Sequence, residues 1–176
     1  MFTNIQLAPN TQVVMMHDQH DLDFIKAAEF GKLNVIQSLA GLLRTRTTLA
    51  NEAFLYAAYG GHLAIVEFLV ANGADVHYRN EAALRFAAGK NHNHIVHFLV
   101  NHGANRHDAI RVAALAGNVN AIKYLFANGC DINDLVLLHS VLQLAAENGH
   151  LDITNYLFSN TNANQIQLRL RICSSV

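Results

Sequence analysis

The chain has no tryptophan, a single proline at Pro9, and only two cysteines, Cys130 and Cys173, in 176 residues. Two thiols cannot build a disulfide framework, so the sequence points to a reducing compartment, and a cytoplasmic location is expected. Charged residues make up only 14% and sum to a formal net charge of −1. No basic excess exists to attract nucleic acid or an anionic membrane, and neither is expected as a partner. Although 52% of the residues are hydrophobic, no apolar run approaches the roughly 20 residues that span a bilayer. The N-terminus lacks a basic segment followed by an apolar run, so no secretory signal is expected. Chemistry-bearing motifs are also missing: there is no G-x-S-x-G, no phosphate-binding glycine loop and no H-E-x-x-H. The sequence is therefore read as a non-enzyme without a cofactor.

What the chain does have is internal repetition. An alanine pair recurs as Ala27-Ala28, Ala57-Ala58, Ala87-Ala88, Ala113-Ala114 and Ala145-Ala146, with steps of 30, 30, 26 and 32 residues. Four residues after each first alanine stands Gly31, Gly61, Asn91, Gly117 or Gly149. Eight after stands Val35, Ile65, Ile95, Ala121 or Ile153, and twelve after stands Leu39, Leu69, Leu99, Leu125 or Leu157. A second glycine follows as Gly73, Gly103 and Gly129 in the middle three copies. Paired alanines allow close helix approach. The first glycine supplies positive φ at a turn, and the later one closes the second helix. The apolar residues eight and twelve positions along share one helical face. Helices of about 8–10 residues are unstable alone in water, so the repeats must stack and bury each other's faces.

These residues resemble the ankyrin repeat, whose pattern reads T-P-L-H-x-A-A-x-x-G-H-L-x-x-V-x-x-L-L-x-x-G-A-D. Glu52–Asp75 and Leu142–Leu157 match it most fully. The resemblance implies an all-α ankyrin-repeat solenoid of five helix-turn-helix repeats with reduced β-hairpins. The repeats are expected at about 21–50, 51–80, 81–106, 107–133 and 134–160, between a leader or cap at 1–20 and a tail at 161–176. In their short period the repeats are similar in style to those of amoeba-infecting bacteria and giant viruses. Every copy departs from T-P-L-H, reading E-A-F-L, A-A-L-R, D-A-I-R or S-V-L-Q, so the inter-finger histidine network of the family is missing. The segments from cap glycine to next alanine pair predict a clipped finger before the third repeat and almost none before the fourth.

The resemblance further implies a non-catalytic module that holds a protein partner on its concave face. The positions that would line this face are Phe30, Tyr59, Lys90, Leu115, Glu147 and Asn148 at first-helix ends, and Tyr78, Arg79 and Glu81 on a finger. Phe30, Tyr59, Tyr78 and Arg79 have the large contact area or bidentate donors of interface hot spots. Two other functions stay open: a secreted effector of an intracellular bacterium or virus that targets a host protein, and an assembly protein that dimerises through its tail. The partner is an unknown protein, and the chain itself is expected to be a monomer.

Other segments carry local expectations. His94 and His97 have a spacing able to chelate zinc or nickel. However, His92 aligns with His62 and His150 at the turn, and His94 and His97 align with Ala64 and Glu67 on an outer face. Structural or solvated histidines are therefore expected across His92–His107, and no metal. Asp75 and Asp131 are expected to accept backbone hydrogen bonds. The apolar run Leu135–Leu138 is expected to be buried rather than to form an interface. The second helix of the first repeat is predicted to continue to about Leu43, with Thr47 or Thr48 capping the next helix. Val13–Met16 either cover the exposed end of the first repeat or belong to a disordered leader. Ile166, Leu168, Leu170 and Ile172 alternate with polar residues in the manner of a strand.

Overall fold

In the computed structural model, residues 19–42 and 46–161 are described. The expectations for Val13–Met16, for the alternating tail and for pairing through that tail fall outside them. The described residues form helices and connecting turns, without a strand. In chain order they are α1 (Gln19–Glu29), α2 (Leu33–Ser38), α3 (Thr47–Gly60), α4 (Leu63–Ala71), α5 (Tyr78–Gly89), α6 (Asn93–Asn101), α7 (Arg106–Ala116), α8 (Val119–Ala127), α9 (Leu135–Glu147) and α10 (Leu151–Asn160).

The helices pair as two layers. The odd-numbered ones pack side by side, α1 on α3, α3 on α5, α5 on α7 and α7 on α9, while each even-numbered helix packs on its own partner and on the next even-numbered helix. The alanine pairs make this possible. Ala28, Ala58, Ala88 and Ala114 are fully buried, as are Phe24, Phe54, Leu84 and Ile110 one turn earlier on the same faces. In the last copy the same positions, Ala146 and Leu142, are exposed and half-buried. The second helices supply Ile36, Val66, Val96 and Ile122, all fully buried. Burying each such side chain contributes roughly 1.5–3 kcal/mol, so inter-repeat contact dominates the stability of helices this short.

The turn between the two helices of each repeat carries a second device. The imidazole Nε2–H of His62 donates to the Glu29 carbonyl of the preceding repeat at 2.8 Å. His92 donates likewise to Tyr59 at 3.0 Å, and His150 to Leu115 at 3.0 Å. The fourth repeat has Asn118 instead; its Nδ2 donates to the Ala88 carbonyl at 2.9 Å while its Oδ1 accepts from Ala121 and caps α8. Each histidine ring lies over the preceding turn glycine. A Cβ on Gly31, Gly61 or Gly117 would fall 2.6–2.7 Å from the ring of His62, His92 or His150. Only the third repeat places a side chain at this turn: Asn91, at φ 64°. That repeat is followed by the one with asparagine rather than histidine. The smaller Asn118 leaves room for the Asn91 Cβ, so the two departures from the repeat pattern compensate each other.

Connections between repeats shrink as the sequence spacing predicts, from six residues between α4 and α5 to four between α6 and α7. Asp75, Asn105 and Asp131 turn the chain within them in the same way, each Oδ1 accepting the N–H two residues on. Two local expectations are corrected. Helix α2 ends at Ser38, whose hydroxyl donates back to the Val35 carbonyl, and a short 3-10 turn at Ala40–Leu42 containing Gly41 replaces the predicted continuation. Thr47 and Thr48 lie inside α3 and do not cap it. The N-cap is Arg46, which reaches back to the Asp21 carboxylate of the first repeat. The Leu135–Leu138 run opens α9 behind Asp134, whose Oδ1 accepts from Val136 and Leu137. Expected to be buried, it divides: Leu137 and Leu138 are buried, but Leu135 and Val136 stay exposed, because a helix turn points successive residues to different sides.

The paired substitution makes a quantitative prediction. Asn118→His alone should destabilise the chain by about 1–3 kcal/mol, because its ring would overpack against Asn91. Adding Asn91→Gly should recover most of that loss, so urea denaturation of both single variants and the double variant should show strong coupling. Additive effects would contradict the assignment.

Candidate functional site

Apart from Leu135 and Val136 at the start of α9, the exposed large apolar side chains of the odd-numbered helices lie near the C-terminal ends of α1, α3, α5 and α7. Phe30 is 67% exposed, Tyr59 40%, Phe86 41% and Leu115 51%. Residues four apart on a helix share a face, which places Lys26 with Phe30, Phe86 with Lys90 and Arg111 with Leu115. Across the repeat boundary Tyr59 meets Phe86 edge-to-face with ring centroids 5.8 Å apart. The Lys90 ammonium lies 4.5 Å above the centre of the Tyr59 ring. Phe30 borders a shallow depression lined also by Asp23, Lys26, Ala27, Lys32 and Val35.

The structure thus joins Tyr59 to Lys90 directly and sets Phe30 at the end of α1 and Leu115 on α7, the helices that flank α3 and α5 in the same row. Phe86 and Arg111 belong with them, although the sequence analysis missed both. Their signal was present: each lies four residues before a residue already singled out, on the same helix. Glu147 and Asn148 end α9 at the far edge of the row. There Glu147 accepts from Gln143 at 2.8 Å, and Asn148 donates to the Leu144 carbonyl at 2.8 Å.

Tyr78, Arg79 and Glu81 form a separate polar cluster rather than a projecting finger. Arg79, Asn80 and Glu81 adopt φ of 50°, 55° and 62°, a turn in the left-handed region. For residues other than glycine this costs roughly 1–2 kcal/mol each. Polar contacts hold it: Arg79 pairs with Glu52 Oε1 at 2.7 Å, the Tyr78 hydroxyl donates to the same oxygen at 2.9 Å, and Arg85 donates to the Arg79 carbonyl at 3.2 Å. Asn80 reaches Asp108 at 3.4 Å. Burial and this hydrogen bond to Glu52 raise the Tyr78 phenol above its ordinary pKa. Glu81 is corrected from a surface contact to a buried group. One carboxylate oxygen meets His77 Nδ1 at 2.7 Å, while Oε2 is buried without a partner. Left-handed φ turned the side chain inward, where an extended finger would have presented it to solvent.

The remaining reactive residues are structurally engaged. Burial pushes the Cys130 thiol up to about 11 against the opposing charge of Arg106, which makes it a weak nucleophile at neutral pH. The His94 ring nitrogen bonds to the Gly61 carbonyl at 3.2 Å, and His97 stacks on Tyr124 with centroids 3.7 Å apart. Among the described residues no group of three or more metal-ligating side chains converges, and no helix is long and apolar enough to cross a membrane.

Two predictions concern the polar cluster. Glu52→Ala removes the shared acceptor of Tyr78 and Arg79 and should destabilise the chain by about 2 kcal/mol in thermal or chemical denaturation. The hydrogen bond from His77 to Glu81, together with the carboxylate charge, raises the imidazole above its ordinary 6.5. Its stabilisation is complete below the unfolded-state pKa and is lost as pH rises through the higher folded value. In an NMR titration Glu81→Gln should move the His77 midpoint downward; an unchanged midpoint would show that the pair does not form in solution.

A family model described as ankyrin repeats (3 copies) matches residues 24–109 and 105–167. No curated protein matches the chain.

Proposed function

From the premise that this chain belongs to the ankyrin-repeat family, whose repeats generally mediate protein–protein interaction, we propose that it is a non-catalytic module gripping a protein partner along the row of first-helix ends. The observation that carries this reading is the exposed series Phe30, Tyr59, Phe86 and Leu115 on consecutive odd-numbered helices. Soluble chains rarely leave aligned large apolar groups in water without a use for them. Tyr59, Phe86 and Lys90 brace one another, so their ordering entropy is already spent before a partner arrives. Arg79 and Tyr78 lie at the opposite, N-terminal end of α5, where they hold the left-handed turn and are not part of this surface.

A specific interface buries roughly 1,200–2,000 Å² in total, which needs several repeats acting together. The test places a photo-crosslinking amino acid at Leu115 or Phe30, and, as a control, at Glu67 on the opposite layer. Protein crosslinks should form at the first two positions and fall sharply when Tyr59→Ala and Phe86→Ala are added. Equal crosslinking from Glu67, or yields indifferent to both alanine variants, would reject the row as the binding face.

A further inference from the structure

We infer that the occupant of this face is an acidic, extended protein segment carrying spaced apolar residues. The inference rests on the binding face proposed above and specifies its ligand. The chain as a whole is slightly acidic, with net charge −1, yet four exposed cations lie along this surface. Lys26 and Lys32 flank Phe30, Lys90 covers Tyr59, and Arg111 accompanies Leu115. Among the described residues none of the four makes an ion pair. The carboxylates nearby are Asp23, which already accepts from Gln19 at 2.9 Å, the half-buried Glu29, and Asp108, three residues before Arg111 on α7, which accepts from Asn80 at 3.4 Å. Glu147 lies beyond, at the far edge. On this row the four cations Lys26, Lys32, Lys90 and Arg111 therefore exceed the three carboxylates Asp23, Glu29 and Asp108, and each of the three apolar stations has a cation beside it.

Spacing supports an extended ligand. Adjacent packed helices lie about 8–10 Å apart, so Phe30, Tyr59–Phe86 and Leu115 together cover about 25–30 Å over three helix steps. An extended chain advances about 3.3 Å per residue. About nine ligand residues would then bridge the stations, apolar ones meeting the rings and Leu115, acidic ones meeting the cations. A single-stranded nucleic acid fits less well. It needs open aromatic faces for stacking, whereas Lys90 already occupies a face of Tyr59 and Phe86 meets that ring edge-to-face. Leu115 offers no plane at all.

The experiment selects a random displayed peptide library on the immobilised full chain and measures the enriched peptides by fluorescence polarisation, with oligo(dT) as a second probe. The expected pool is rich in Asp and Glu with apolar residues at regular intervals. Its binding should weaken about tenfold in Lys90→Glu/Arg111→Glu, a loss of about 1.4 kcal/mol, and relax with added salt. A neutral or basic pool that still depends on Tyr59 and Phe86 would overturn the acidic ligand while leaving the binding face standing. Tighter binding of oligo(dT) than of any peptide would overturn it too. Failure to enrich any peptide, or a pool insensitive to every variant on this face, would overturn both readings.

Discussion

Every repeat here is tied to its predecessor by a side chain that leaves one turn and donates to a backbone carbonyl of the preceding repeat. His62, His92 and His150 make this bond with an imidazole, and Asn118 makes it with a shorter amide. The carbonyls they satisfy lie near helix C-termini, where intrahelical donors run out. The bond therefore satisfies acceptors and sets the spacing between neighbours at once. It requires the preceding turn to be free of a bulky Cβ, which is why glycine and histidine, or asparagine and asparagine, occur as pairs across the repeat boundary.

Once that spacing is fixed, the buried alanines follow. Their small side chains let the odd-numbered helices sit in one row, with Phe24, Phe54, Leu84 and Ile110 filling the gaps between them. The same row brings the C-terminal ends of successive helices close together. Tyr59 of one repeat can then contact Phe86 and Lys90 of the next, and a composite surface arises that no single repeat contains. The face proposed for binding is thus a by-product of the stacking geometry, decorated by residues that the stacking does not need.

Much of this was legible from the residues. The alanine frame, the turn glycines and the apolar second-helix positions recur because each has the same neighbour to satisfy, and repetition makes a weak local signal strong. Phe30, Tyr59, Lys90 and Leu115 could be placed by their offset from the alanine pair. Phe86 and Arg111 were overlooked because the frame drew attention to positions after the pair, whereas these two precede it and join the others through helical spacing. Glu81 was misplaced because position in the repeat assumes ordinary backbone; the left-handed turn at Arg79–Glu81 reversed the direction of its side chain.

The sequence by itself determined the helix pairs, the turns between them and the need for a stack, because all three depend on periodicity and on residues with special backbone freedom. Tertiary structure alone decided which side chains meet across repeat boundaries: the cation above Tyr59, the asparagine allowed at position 91, and the carboxylate shared by Tyr78 and Arg79. Those contacts join residues 26 to 31 positions apart. Their geometry is set by how two helices settle against each other, which no local pattern records.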